Sequence, residues 1–306
     1  MKQRAVLNES RVPLQGAYTM SAIREMVGSW RLTHQTVALV PTMGNLHTGH
    51  LSLMEDASSR ADRVVCSIFI NPAQFAPEED FSLYPRTLAE DEALLAEQGI
   101  VDLVFAPEER DVYPFGVENM VGVTMPELSS QLCGASRPGH FDGVASVVLR
   151  LINMVSPDVL ILGEKDYQQF VLLKRMIKDL QLPIQVVSAP IQREKDGLAM
   201  STRNQYLTAD ERRIAPKLHA ELEQVRNSLR EGDQDYQAVE ARASLALETA
   251  GFDPDYVEVR RAADLGRPNG MGSSPTIFAK SISARSAAVR AACSTVVLLE
   301  SLPNLT

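Results

Sequence analysis

The chain is poor in the residues that mark several large protein classes. It has three cysteines in 306 residues, Cys66, Cys133 and Cys293, odd in number and far apart. That excludes a disulfide framework and a cysteine-built metal site. No apolar run approaches the roughly 18 residues that a membrane-spanning helix needs. The first 20 residues hold no apolar stretch of signal-peptide length, so the cytoplasm is the expected compartment. Positive charge is also scarce. The formal net charge is -9, and the lysines and arginines are scattered without a basic tail or interleaved aromatics. This argues against a nucleic-acid surface, which needs a basic face. Repeats and low-complexity tracts are missing too. What is present is ordinary hydrophobic content, 45%, in a chain long enough for two domains.

Histidine is scarce as well, five in all, yet two of the five fall in one stretch: Pro41-Thr42-Met43-Gly44-Asn45-Leu46-His47-Thr48-Gly49-His50. A β-branched apolar run at 37–40 precedes it, and a helical pattern beginning at Leu51, Leu53 and Met54 follows. The order is strand, tight glycine turn, helix start. A helix start leaves backbone N–H groups free, and these suit phosphate. His47 and His50, three residues apart, share one face once the helix begins. Two imidazoles beside free N–H groups suit a polyphosphate that gains charge during reaction. A zinc pair or two surface histidines at a helix cap are the alternatives. Zinc needs further ligands, and no nearby cysteine or aspartate cluster supplies them.

The rest of the first 190 residues repeats strand and helix. Helices are expected at 19–32, 51–61, 88–98 (ended by Gly99), 144–155 and 170–180. Strands are expected at 37–40, 64–70, 101–105, 158–162 and 184–188, and the run at 64–70 is the apolar kind that a parallel strand covered on both faces should show. Residues 107–119 read as irregular, 121–125 as a short strand and 128–132 as a helical turn. The class is therefore α/β with a parallel sheet. Beyond residue 190 the pattern changes. A capping box at Thr208 and Glu211 opens a helix running towards Arg230. A second helix spans 236–249, and short strands are expected at 256–259, 276–279 and 295–299, with a glycine- and serine-rich turn at 268–275. Two domains follow, 1–189 and 190–306.

Strand ends in such sheets are where ligands bind, and polar segments stand there. Asn71 and Gln74, in Asn71-Pro72-Ala73-Gln74-Phe75-Ala76-Pro77, offer uncharged amides for a hydroxyl or carboxylate, or bond to their own proline-rich loop. Glu78 to Asp80 reads as a solvated face. Arg137 and His140 sit among glycines before a helix, either an anion clamp or a structural loop. In Gly163-Glu164-Lys165-Asp166-Tyr167-Gln168-Gln169, Lys165 suits phosphate and Asp166 a ribose hydroxyl or a magnesium-bound water. A solvated turn is the alternative. Ser201, Thr202 and Arg203 can hold a triphosphate, a weak signal by itself.

Together these segments resemble the pantoate–β-alanine ligases (pantothenate synthetases) of the nucleotidyltransferase superfamily, which carries an HxGH motif. The similarity runs through Pro41–His50, Ser67 to Phe75, Glu79 to Thr87, Gly163 to Gln169 and Asp196 to Asn204, in the family's order. The resemblance implies a Rossmann-like parallel-sheet domain that binds ATP and pantoate, with a smaller C-terminal α+β lid. It implies that His47, His50, Lys165 and Arg203 carry the chemistry. The nucleotide would contact Met43, Gly44, Asn45, Leu46, His47, Thr48, Gly49, His50, Gly163, Glu164, Lys165, Asp166, Gln192, Met200, Ser201, Thr202 and Arg203. Gln74 and Gln169, with Asn71, Arg137 and His140, would hold substrate. No protein metal site is implied, but ATP is used with magnesium. The partners are pantoate and β-alanine, joined through a pantoyl adenylate with release of pyrophosphate and AMP, in a cytoplasmic homodimer. Two rivals share the motifs: a nucleotidyltransferase that leaves the adenylate on its product, and a non-catalytic nucleotide-binding module. Gln74 and Gln169 favour the ligase over the first, and the full set of His47, His50, Lys165 and Arg203 argues against the second. The chain departs from the family at Thr48, usually Glu, and Thr202, often Ser. Its tail, Val296-Val297-Leu298-Leu299-Glu300-Ser301, and residues 267–286 also depart, which concerns lid packing more than chemistry.

Overall fold

A computed structural model describes residues 13–268, 275–283 and 294–298. Most of the expected turn at 268–275, Cys293, and the tail from residue 299 lie outside the described residues. In chain order the strands and longer helices are β1 (Gln15–Ala17), α1 (Met20–Leu32), β2 (Val37–Thr42), α2 (Thr48–Arg60), β3 (Arg63–Ile68), α3 (Leu88–Gln98) and β4 (Leu103–Phe105). There follow α4 (His140–Val155), β5 (Val159–Gly163), α5 (Tyr167–Asp179), β6 (Gln185–Ala189), α6 (Pro216–Arg230), α7 (Tyr236–Thr249), β7 (Phe252–Arg261), β8 (Pro275–Ser283) and β9 (Ser294–Leu298).

The first six strands form one sheet in the order β1-β4-β3-β2-β5-β6, parallel at every pairing. Side chains alternate across it. Leu39, Val65 and Leu160 join a core with α1, α4 and α5. Their neighbours Ala38, Val40, Val64, Cys66 and Ile161 join a second core with Met54 and Ala57 of α2 and Leu95 of α3. Both faces are covered along β2 to β5, which is why these strands read as mainly apolar runs. Cys66 is buried here, as its run suggests.

The α/β class and most elements match the sequence reading, with four differences. β1 pairs with β4 at the sheet edge and went unread, because three residues carry no detectable period. Residues 121–125 form no strand; the N–H of Val123 donates instead to the Ser146 hydroxyl at 2.9 Å. The helix expected after Thr208 stops at Ile214, and α6 begins at Pro216, since proline cannot supply the N–H that would continue the ladder. Residues 107–119 include two short helical turns, Glu109–Val112 and Val117–Asn119.

The later strands form a separate antiparallel sheet, β7-β8-β9. Ile277 and Ala279 of β8 pack with α6, α7, Val257 and Val259 in their own core. Phe278, on the opposite face, joins the core of the first sheet and lies 5.9 Å from Tyr167 between ring centroids.

Candidate active site

β2 is flanked by β3 on one side and β5 on the other. The chain therefore leaves β2 in one direction and returns on the other side, which opens a crevice at the strands' C-terminal ends. A cavity of about 230 Å³ lies there. It is lined by Met43, His47, Gly49 and His50 after β2, by Asn71 and Gln74 after β3, and by Arg137 and His140 at the start of α4. Gly163, Glu164, Lys165, Asp166 and Gln169 follow β5, and Gln192, Met200, Ser201, Thr202 and Arg203 close the far side. Four residues of the expected set, Gly44, Asn45, Leu46 and Thr48, are not among its lining.

The helix start differs from the expectation of free N–H groups. Helix α2 begins at Thr48, with His47 as its N-cap. His47 Nδ1 accepts the N–H of Gly49 at 3.1 Å, and His50 Nδ1 accepts the N–H of His47 at 3.3 Å. The N–H groups of Asn45 and Leu46 are taken by Asp91 at 2.9 and 2.7 Å. Four N–H groups of the turn and helix start are thus already taken. With each Nδ1 accepting, each neutral ring carries its proton on Nε2. The rings lie 4.0 Å apart between centroids. Burial, then the Lys165 charge, lowers His47 to a pKa of about 4. Burial, then His47 and Lys165, lowers His50 to about 3. Both are neutral donors near neutral pH.

Cations line the cleft, but each is paired. Lys165 Nζ lies 3.2 Å from Asp166, with side chains 29% and 51% exposed. Arg203 places Nε and Nη2 on the two oxygens of Asp80 at 3.0 and 3.1 Å. Asp80 is buried, not the solvated face that its neighbours suggest. Arg137 forks onto Glu79 at 2.5 and 2.6 Å, so it is no free anion clamp. Burial pushes the Asp166 carboxyl up, but Lys165, with Arg203 and His140 further off, outweighs this and holds it below the usual range.

The amides after β3 also divide. Asn71 is buried and spends every polar atom on protein. Its Nδ2 donates to Gln74 Oε1 at 3.0 Å and to the Gly143 carbonyl at 3.2 Å. Its Oδ1 accepts from Ala73 N–H at 3.3 Å and the Tyr113 hydroxyl at 2.5 Å. Nothing is left for a ligand, and Asn71 positions Gln74. His140 braces the same residue. Its Nδ1 donates to the Gln74 carbonyl at 2.8 Å, because Nε2 must accept from Arg137 at 3.0 Å. Gly143 fits only without a side chain, since a Cβ there would lie 2.1 Å from the Ala73 carbonyl oxygen. The sequence reading missed the apolar wall of Val144, Val147, Val148 and Leu151. The apolar helix at 144–155 is visible in the chain, but nothing local says that one side of it faces a cavity. Tyr84, under the Arg203 guanidinium at 5.4 Å, had no local signal.

Among the described residues no group of three or more His, Cys, Asp or Glu side chains could hold a metal ion. Nor is any helix there long and apolar enough to cross a membrane.

Fold and cleft together define a class, a Rossmann-like α/β protein with a cleft at the sheet's switch point. Comparison with known proteins narrows it. The profile of the family described as pantoate-beta-alanine ligase matches residues 15–297. The chain is 48% identical over 261 residues to the pantothenate synthetase of Nitrosococcus oceani, covering 85% of this chain and 91% of that protein. It is 51% identical over 252 residues to that of Halorhodospira halophila, covering 82% and 88%. A crystal structure of pantothenate synthetase from Thermus thermophilus matches with a TM-score of 0.83 at 36% identity, covering 94% of this chain and all of that one. A crystal structure of pantoate-beta-alanine ligase from Francisella tularensis, complexed with beta-gamma ATP and beta-alanine, matches with a TM-score of 0.77 at 33% identity, covering 93% and 97%. The chain belongs to the pantoate-beta-alanine ligase family.

Proposed function

We propose that this chain condenses pantoate with β-alanine through a pantoyl adenylate. One observation carries the reading. Two neutral imidazoles whose Nε2 protons have no partner among the described residues stand in one cavity with Lys165 and with two uncharged amides, Gln74 and Gln169. The donors suit phosphate and the amides suit a hydroxy acid. The apolar wall of Val144 and Val147 suits the branched carbon of pantoate.

In the first step a pantoate carboxylate oxygen bonds to the α-phosphorus of ATP. The bond to the β-phosphate oxygen breaks, and its electron pair leaves with pyrophosphate. Charge grows on the α-phosphoryl oxygens and on the leaving group. The Nε2–H groups of His47 and His50 and the ammonium of Lys165 stabilise that charge more than they stabilise bound ATP. Among Lys165, Arg137 and Arg203, Lys165 is held by the most exposed pair, so it is the one that turns to phosphate. Arg203 stays locked, its fork held by Asp80. In the second step the β-alanine amine bonds to the acyl carbon and AMP departs with the electron pair of the broken bond. The amine also loses a proton. Neither imidazole accepts it, because each Nδ1 is occupied and each Nε2 is already protonated, so water takes it.

The described side chains make no magnesium cage. Magnesium fits this site as the counterion of the nucleotide and hence as part of the substrate. The buried pairs of Arg137 and Arg203 support that reading, since they leave Lys165 as the one cation of the three that turns to the polyphosphate. In this reading the domain 1–189 carries the pantoate site and most of the ATP site, and the domain 190–306 acts as the lid through Gln192, Met200, Ser201, Thr202 and Arg203. We further infer a cytoplasmic homodimer. Phe115 and Val121, 80% and 84% exposed, support an apolar contact surface, and sedimentation tests it.

The deciding experiment is pantoate-dependent exchange of labelled pyrophosphate into ATP without β-alanine. Exchange is expected. A protein that makes pantothenate but shows no exchange overturns the two-step scheme.

A further inference from the structure

Behind the turn that leads to His47 and His50 lies a carboxylate that the proposed reaction does not use. Asp91, in the first turn of α3, is 3% exposed and makes no ion pair among the described residues. Its Oδ2 accepts the N–H of Asn45 at 2.9 Å and the Thr87 hydroxyl at 3.1 Å, and its Oδ1 accepts the N–H of Leu46 at 2.7 Å. Thr87 Oγ1 also accepts the Asn45 N–H at 3.1 Å. The backbone so held is unusual. Gly44 and Asn45 stand in succession at φ 82° and 49°, the left-handed region that a side-chain-bearing residue enters at a cost. A charged acceptor holding two consecutive N–H groups is a strong restraint. The chain emerges from it directly into His47, the cap of α2.

We propose that Asp91 is the positioning residue of the histidine pair. It holds the left-handed turn from the side away from the cleft, and so sets where the two Nε2–H groups point. It touches no reacting atom. The inference rests on the adenylation reading for its kinetic consequence, but not for its structural one.

Asp91→Asn tests it in the full-length protein. The variant keeps the shape but turns an NH₂ group towards a backbone N–H. Nitrogen-15 NMR of the imidazoles reads positioning directly. The signals of His47 and His50 should shift towards mixed tautomers while those of the other histidines stay in place. In pyrophosphate exchange the kcat should fall by about a hundredfold, the scale of a misplaced catalytic group, with the KM for ATP nearly unchanged. In a His50→Ala background the same substitution should add little, since a group that acts through another is non-additive with it. Unchanged imidazole signals in folded Asp91→Asn protein overturn the proposal, and so do fully additive losses. Should Asp91→Asn not fold, Thr87→Val removes one acceptor of the Asn45 N–H and gives the same tests at smaller amplitude. Wild-type protein without exchange activity counts against the adenylation reading alone, and the NMR comparison then decides Asp91 by itself.

Discussion

His50 caps the residue that caps its own helix: its Nδ1 accepts the backbone N–H of His47 at 3.3 Å, and the two rings lie 4.0 Å apart. Each imidazole is thereby held as a neutral donor. Proton-sensitive NMR should show neither ring charging between about pH 8 and about pH 5, since the ordinary imidazole value is about 6.5 and these lie at about 4 and about 3. Stability carries the same signature. Below pH 6.5 an unfolded chain protonates these histidines and the folded chain does not. Stability from this source is whole above pH 6.5 and falls as the pH drops towards 4 and 3. His140, lowered to about 3 by burial and then by Arg137, adds to the same fall. Urea titrations across that range check the sign.

Lys165→Ala and His50→Ala should each slow adenylation by about 2.7–4 kcal/mol, the usual cost of one lost oxyanion donor. Preformed pantoyl adenylate should restore much of the pantothenate-forming rate, because that step bypasses the phosphoryl charge. Single-turnover kinetics from the intermediate measure it. Equal damage in both steps would show that these residues serve the whole site.

Gly143→Ala should be costly for a methyl group. The new Cβ meets the Ala73 carbonyl oxygen at 2.1 Å, so either α4 or the loop carrying Gln74 must move. Overpacking of this kind costs about 1–3 kcal/mol. Denaturant midpoints should fall accordingly, and the KM for pantoate should rise more than that for ATP.

Asp80→Asn should destabilise far more than Asp210→Asn. Asp80 and Arg203 have side chains only 2% and 15% exposed, and an arginine left there without its partner costs about 3–5 kcal/mol. The pair of Asp210 with Arg213 is 90% and 76% exposed, where the loss is about 0–1 kcal/mol. Equal shifts in midpoint would refute the contrast.

The motif from Pro41 to His50 was legible because its grammar is local: an apolar strand, a glycine, then a helical period. So were the parallel strands, whose two-sided burial leaves a continuous apolar signature. What escaped was pairing across sequence. Arg137 meets Glu79 58 residues away, and Arg203 meets Asp80 123 residues away; nothing in either neighbourhood announces the partner. Asn71, left open between a ligand and its own loop, and the turn N–H groups, expected free, were hard to place for one reason. A polar group looks free in a sequence until the fold shows what has already claimed it. Asn71 is claimed by Gly143 and Tyr113, and the turn by Asp91.

Arg137, Arg203 and Lys165 each face a carboxylate, in a chain of net charge -9. With these cations paired and the chain negative overall, little long-range attraction of an anionic nucleotide is expected. Capture depends on short-range fit once the nucleotide has arrived. Steered enzymes lose association rate as salt rises. Here added salt screens repulsion beyond about 10 Å at 0.1 M, and nucleotide should enter faster.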